Sequence, residues 1–368
     1  MHALLRTNRR ATMRPCPMAD AGGFGREEAL GFGVMQAVRL HEIGGPQLLR
    51  LESIDEPKPG PDEVCVRIRA AALNHRDVFI TQGLYPRIEL PRTLGSDGAG
   101  EVTALGTGVE GPAVGTPVVI NPMLGWGDNP AFWSEKSTIL GMPRDGTFAE
   151  FVCVPQENVY EKPAQFSFEE AAAIPMGGLT AYRAVVTRAQ LKAGETVLIT
   201  GIGGGVQTFV LLFAKHIGAR AIVTSSSDEK LRRAVELGAD VAINYKTSSS
   251  WHKDVRRLCP QSIDVVVDSA GGEAFARSLE SARTGARVVT YGATAGDPTI
   301  RMFPVFWKHL NVLGTSMGSP LDFTGMLDMF KAGVKPVIDR ILPLKDTALA
   351  AQRLTEAAQF GKIVLAVT

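Results

Sequence analysis

The stretch Thr200-Gly201-Ile202-Gly203-Gly204-Gly205-Val206 is the part of this chain whose residue types point most directly to chemistry. A pyrophosphate needs backbone N–H groups aimed at it with no Cβ in the way, and a helix N-terminus behind the turn adds a favourable dipole. Gly203, Gly204, Gly205 and Val206 are therefore expected to hold a cofactor. The last glycine of the usual dinucleotide fingerprint falls near Gln207, where a side chain is expected to widen the helix–strand crossing. The position that separates NAD from NADP lies about 20 residues further on, which from Gly205 reaches Ser225. An NAD site wants a carboxylate there to hold the ribose hydroxyls. Ser225 and Ser226 offer hydroxyls instead, and Lys230 follows about one helical turn later. Hydroxyls plus a cation suit a 2′-phosphate, so NADP is the expected cofactor. Asp228 and Glu229 argue the other way, although acids in a first helical turn usually serve the helix dipole.

A glycine-rich turn means little unless a strand enters it and a helix leaves it. Here the pattern predicts strands over 196–200, 221–225, 241–244, 263–268, 287–291 and 312–314, with helices over 206–217 and 228–237. Ser227 can cap the second helix and Gly238 can end it. Such alternation implies a parallel sheet with helices on both faces. From Met35 to about Tyr160 the reading is different. Val64, Val66 and Ile68 alternate with Cys65, Arg67 and Arg69, as in a half-buried strand, and Gly and Pro punctuate at the spacing of a compact barrel. A loop-rich stretch over 121–145 interrupts it and carries Met123, Trp126, Phe132 and Trp133, either as a substrate cover or as a partner surface. A last strand is predicted over 362–367.

The bulk properties set limits on partners. At 368 residues the chain suits two domains, and its 39 Lys plus Arg against 38 Asp plus Glu give no electrostatic reason to seek nucleic acid or a membrane surface. Cys16, Cys65, Cys153 and Cys259 lie far apart with no CxxC pair, which argues against a disulfide scaffold or a zinc knuckle. Cys65 and Cys153 sit in apolar strand patterns and read as core residues rather than nucleophiles. Residues 1–34 carry Arg6, Arg9, Arg10 and Arg14 before the first acid, Asp20. They read as a flexible, over-extended start in preference to an organelle transit peptide, which would be rich in serine. The expected location is cytoplasmic, or organellar if that segment is a transit peptide.

Several phrases resemble the medium-chain dehydrogenases/reductases, and within them the zinc-free branch that includes quinone oxidoreductases. They are Ala71-Ala72-Leu73-Asn74-His75-Arg76-Asp77, Gly83-Leu84-Tyr85-Pro86, Leu94-Gly95-Ser96-Asp97-Gly98-Ala99-Gly100, Gly177-Gly178-Leu179-Thr180-Ala181-Tyr182, the glycine loop, and Gly361-Lys362-Ile363-Val364-Leu365. The resemblance implies an α/β protein: a GroES-like β-barrel catalytic domain over 35–165, a doubly wound Rossmann domain over 166–334, and a return of 335–368 to the first domain. The active site would lie in the cleft between them, and a homodimer or homotetramer would be usual. Where zinc members place ligands, this chain has Asn74, Ser96 and Met176, and its 121–145 stretch lacks the four cysteines of a structural zinc loop. No metal is therefore expected.

By the same resemblance, Tyr85 faces the substrate pocket as a hydrogen-bond donor or a pocket wall. Asn74 faces the nicotinamide region, or merely stabilises its turn. His75 lies near the cofactor phosphate, or is solvent-exposed. Thr180 packs on the nicotinamide ring, Tyr245 lies beside the adenine phosphate, and Lys362 joins the cofactor-binding set. Asp77 holds the loop, and Arg76 is expected to be a solvated charge. Without zinc, the acceptor should take hydride easily, as quinones and C=C bonds conjugated to a carbonyl do. The leading expectation is an NADPH-dependent quinone or enone reductase. The alternatives are a zinc-free alcohol/aldehyde oxidoreductase and a non-catalytic NADPH-binding protein.

Overall fold

Two sheets share the work of positioning one cleft. The computed structural model describes residues 33–248, 250–259 and 263–368. The proposed extension therefore lies outside the described residues, apart from Gly33 and Val34, and the first strand, Val34–Leu40, begins at its last residue.

The parallel sheet has six strands. Their spatial order is Val241–Asn244, Arg220–Ser225, Thr196–Ile199, Ile263–Asp268, Ala282–Thr290 and Asn311–Gly314. Val265, Val266 and Val267 are all fully buried, as expected where helices cover both faces. Chain direction through the sheet reverses between Thr196–Ile199 and Ile263–Asp268, and the crevice of a doubly wound sheet opens at that point. The glycine loop lies there. Its helix, Gly205–Ile217, ends at Gly218, whose φ of 88° closes the C-terminus in the left-handed region. Ser227 caps Asp228–Glu236 through Lys230 N, and Gly238 at φ 100° follows its end.

The first sheet is antiparallel except where the C-terminal pair meets. Glu63–Ala72 pairs with Asp97–Leu105, with Phe151–Pro155 and with the C-terminal strand Lys362–Ala366. Ile338–Pro343 then pairs parallel to Lys362–Ala366, so the tail closes the first domain's sheet. Val64, Val66 and Ile68 are buried and Arg67 is exposed, but Cys65 on the outer face is buried as well. Phe166, Phe209, Phe213 and Phe330 pack ring against ring in the core shared by the domains. No described helix is long and apolar enough to cross a membrane.

Candidate active site

Short-range chemistry holds the phosphate loop. Thr200 Oγ1 donates to Asp268 Oδ2 at 2.5 Å, and Gly271 N donates to Asp268 Oδ1. Burial raises the Asp268 carboxyl pKa, partly offset by the Thr200 hydrogen bond. Ile202 N bonds Thr224 O at 2.8 Å, and Gly361 N bonds Gly203 O at 3.0 Å, so the C-terminal return clamps the loop. Two lysine stems lie over the glycines, and the backbone of one of them disfavours any side chain. A Cβ on Gly203, whose φ is +131°, would meet Lys230 Cδ at 2.7 Å, and one on Gly205 would meet Lys362 Cδ at 2.7 Å. Gln207 does not act as a wedge between helix and strand. Its side chain lines the cleft and Nε2 donates to Ser269 Oγ at the end of the neighbouring strand.

The cleft holds about 730 Å³. Asn74, His75, Tyr85, Thr180, Gly204, Gly205, Val206, Ser225, Ser226, Lys230, Tyr245 and Lys362 all line it. Gly203 does not: it is buried behind the loop, under the Lys230 stem. Lys230 is half-buried and donates to Ala357 O at 2.6 Å. Burial pulls its pKa down, and Asp339 partly restores it. The two acids that argued against a 2′-phosphate are engaged elsewhere. Asp228 Oδ1 accepts from Asn244 Nδ2 at 2.7 Å, and Glu229 pairs with Arg232 at 2.7 Å. His75 is open to the cleft, yet loss of hydration among the cleft walls, then Lys362 and Lys230, lower its pKa to about 4. Its ring is neutral at physiological pH.

Beneath Asn74 at the wall of this cleft lies a buried ion pair. Lys362 Nζ donates to Asp97 Oδ2 at 2.8 Å, to Leu73 O at 2.7 Å and to Asn74 Oδ1 at 2.7 Å. Those bonds use all three ammonium donors. What Lys362 presents to the cleft is its stem, its ammonium being turned to these three oxygens. Asp97 also accepts from Asn74 Nδ2 at 3.0 Å and from Met176 N at 2.8 Å. Asn74 itself starts the helix His75–Thr81, where its N–H donates to Asp77 Oδ2 at 2.8 Å. Burial pushes the Asp77 carboxyl up to about 6 against the pull of Arg76.

A zinc ion does not fit this set. The one carboxylate is neutralised by an ammonium, Ser96 Oγ is bonded to Arg76 and Leu140 O, and Met176 supplies a thioether. Among the described residues no cluster of three or more His, Cys, Asp and Glu side chains stands in position to hold a metal.

Arg76 corrects the expectation of a solvated charge. It is 7 % exposed, its NH1 donates to Ser96 Oγ and Leu140 O, and its guanidinium lies 4.8 Å from the Tyr85 ring centroid. Its Nε reaches the Tyr85 hydroxyl at 3.4 Å. The phenol is therefore held against a cation at the cleft wall. Thr180 is buried on the helix Pro175–Tyr182. Of the loop aromatics, Trp133 lines the cleft and Phe132 is exposed, whereas Trp126 is buried under Arg183 and Met123 is core. Sequence reasoning missed Asp97 as the partner of Lys362, Arg76 as the holder of Tyr85, and Asp268 as the anchor of the loop. Only Asp268 left a signal, as a lone acid at the end of a valine strand.

Comparisons with known proteins agree with this geometry. A family model described as an alcohol dehydrogenase GroES-like domain matches residues 60–164, and one described as a zinc-binding dehydrogenase matches 205–332. A zinc-type alcohol dehydrogenase-like protein of Leptosphaeria maculans is 38 % identical over 336 residues, 86 % of this chain and 94 % of that protein. The quinone oxidoreductase of Rattus norvegicus is 28 % identical over 347 residues, 92 % of this chain and 99 % of that protein. A crystal structure of an NAD-dependent alcohol dehydrogenase superposes with a TM-score of 0.86 at 42 % identity, covering 91 % of this chain and all of that one.

Proposed function

The chain belongs to the medium-chain dehydrogenase/reductase family of oxidoreductases, and from that premise we propose that it is a zinc-independent NADPH-dependent reductase of quinones or α,β-unsaturated carbonyl compounds. The observation that carries this reading is the Lys362 ammonium locked onto Asp97 and Asn74, where a Lewis acid would otherwise have to find ligands.

The residues present fit a dinucleotide. The N–H groups of Gly204, Gly205 and Val206 at the helix start would hold its pyrophosphate. Ser225, Ser226 and Lys230 would hold the 2′-phosphate, with Tyr245 on the adenine side, His75 near a phosphate and Thr180 against the nicotinamide. When bound, the reduced nicotinamide supplies a hydride. The protein's own part is to orient the acceptor and stabilise the charge that develops on its oxygen. Tyr85 is the donor for that oxygen, and Arg76, packed against its ring and within reach of its hydroxyl, holds the phenol in place at the cleft wall. A quinone or enone needs no more polarisation than this.

The test is NADPH and NADH oxidation by EDTA-treated protein against a panel of quinones, enones, aldehydes and ketones. Turnover of quinones or enones undiminished by chelation is expected, and chelator-sensitive turnover would overturn the zinc-free reading. In the same assay Tyr85→Phe is expected to lower kcat by on the order of 10² with little change in KM. An unchanged kcat would reduce Tyr85 to a pocket wall. The 42 % identity to an NAD-dependent alcohol dehydrogenase favours a second reading, alcohol/aldehyde oxidation. Alcohol-dependent NADP⁺ reduction by the EDTA-treated protein would establish it.

A homodimer is proposed as well. Asn311–Gly314 is an edge strand of the parallel sheet, so its outer N–H and C=O groups are open to pairing. Beside it, the helix Met302–Trp307 has no fully buried residue and exposes Phe303, Phe306 and Trp307 by 52 %, 60 % and 67 %. An edge strand can pair antiparallel with its own copy across a two-fold axis, which buries both patches at once. Sedimentation of the Phe306→Glu variant is expected to show monomer where the parent shows dimer. A monomeric parent would dismiss the proposal.

A further inference from the structure

Cys65 and Cys153 are far apart in sequence but directly opposed across the ladder between Glu63–Ala72 and Phe151–Pro155. The hydrogen-bond phase of that ladder fixes how close they come. Ile68 N donates to Glu150 O at 2.8 Å, which makes those two a hydrogen-bonded pair. Alternation then puts Val66 opposite Val152 in a hydrogen-bonded pair and Cys65 opposite Cys153 in a non-hydrogen-bonded one. The carbonyls agree, since both turn away from the shared ladder. Cys65 O accepts from Thr103 Oγ1 and Cys153 O accepts from Arg144 NH2. In such a pair the Cα atoms stand about 4.5 Å apart and both side chains leave the same face. A disulfide accepts Cα separations of about 4.4–6.8 Å.

We propose that Cys65 and Cys153 form a reversible dithiol–disulfide couple, a redox modification site on the outer face of the barrel. Its oxidant is a hydroperoxide. One thiolate attacks the peroxide oxygen, the O–O bond breaks, and a sulfenic acid forms as the alcohol or water leaves. The second thiol attacks that sulfenic sulfur, the S–S bond forms and water departs. The two thiols together lose two electrons and two protons, and the hydroperoxide is reduced to alcohol and water. A hydrogen bond from Cys153 lowers the Cys65 pKa against the opposing effect of burial. The same hydrogen bond and burial raise the Cys153 pKa.

Access and reversal both follow from position. Cys153 lines a cavity of about 270 Å³ together with Pro57, Glu63, Arg144 and Phe151, so a small peroxide reaches Cys153, while Cys65 lies buried behind it as the resolving thiol. Cross-strand Cβ atoms rest about 4.5–5.5 Å apart, whereas a relaxed disulfide wants about 3.8 Å. A non-hydrogen-bonded pair lies at the close end of that range, so the bond closes with a small approach of the strands, and thiol–disulfide exchange with an external thiol reopens it.

The experiment treats the reduced full-length protein with hydrogen peroxide, blocks remaining thiols with N-ethylmaleimide in urea, and maps the unreduced digest by mass spectrometry. The expected product is the Cys65 peptide joined to the Cys153 peptide, lighter by two hydrogens, released by dithiothreitol, and absent from Cys65→Ser and from Cys153→Ser. Oxidation in urea is expected to yield this linkage at least about tenfold less, because the ladder supplies the proximity. Two outcomes overturn the proposal: both cysteines recovered as maleimide adducts or as separate sulfinic acids after prolonged peroxide, or a linkage no more abundant from native than from unfolded chain.

Discussion

Lys230→Ala is expected to weaken NADPH binding by about 10- to 150-fold and NADH binding by less than about threefold, measured as Kd by fluorescence titration. The magnitude is that of a charged hydrogen bond, about 1.5–3 kcal/mol. The argument rests on which charges face the cleft. Lys230 does, half-buried, with its ammonium on the Ala357 carbonyl at 2.6 Å. Asp228 and Glu229 are bonded to Asn244 and Arg232 and leave the 2′-phosphate position without a competing carboxylate. The Lys230 stem also covers Gly203, so truncation to alanine strips packing from the loop as well, a smaller loss that falls on both cofactors alike and accounts for the expected effect on NADH. Lys230→Met separates the two effects, because it keeps a stem and loses the charge. Selective loss of NADPH in the methionine variant supports the 2′-phosphate assignment, and equal loss of both cofactors in it contradicts the assignment.

The parts of the fold readable in the sequence are those governed by local pattern. The buried valine and isoleucine strands and the glycine turn between strand and helix depend only on neighbours, and most of their ends lie within a residue or so of the expected ones. Ala282–Thr290 begins five residues before the expected 287 because Arg283, Thr284 and Gly285 break its apolar run. Pro320–Lys331 went unread, although Ser319 caps it and Phe323, Met326, Leu327 and Phe330 carry a helical period. In the site, the glycine turn, the helix start behind it and Lys230 at the cleft wall were legible because they are local features: a strand end, a run of glycines, and a cation one turn along the next helix. The long-range pairs were not. Asp97 meets Lys362 only because the C-terminal strand closes the barrel sheet, and Arg76 meets Tyr85 only once the loop after His75–Thr81 folds back. No period or spacing reports such meetings.

Lys362→Met is expected to destabilise the protein by about 3–5 kcal/mol at neutral pH, read from urea or guanidinium unfolding. The side chains of Lys362 and Asp97 are 3 % and 0 % exposed, so removing the ammonium leaves a carboxylate in a dry interior. The methionine stem preserves the contact over Gly205, which limits the loss to electrostatics and hydrogen bonding. The pH dependence gives the cause a signature. Without Lys362 the Asp97 carboxylate is buried with no counter-cation, and protonation removes the charge that makes this costly. The folded variant therefore binds protons more readily than its unfolded chain, and its stability rises as pH falls. The deficit of the variant against its parent is accordingly largest near pH 7 and shrinks toward about pH 4. Adding Asp97→Asn should return most of the lost stability at neutral pH, because the amide oxygen can still accept from Met176 N and no charge is left to solvate. A deficit independent of pH, and unrelieved in the double variant, would place the cost in packing instead of the ion pair. The same lock would then no longer support the proposed zinc-independent reaction.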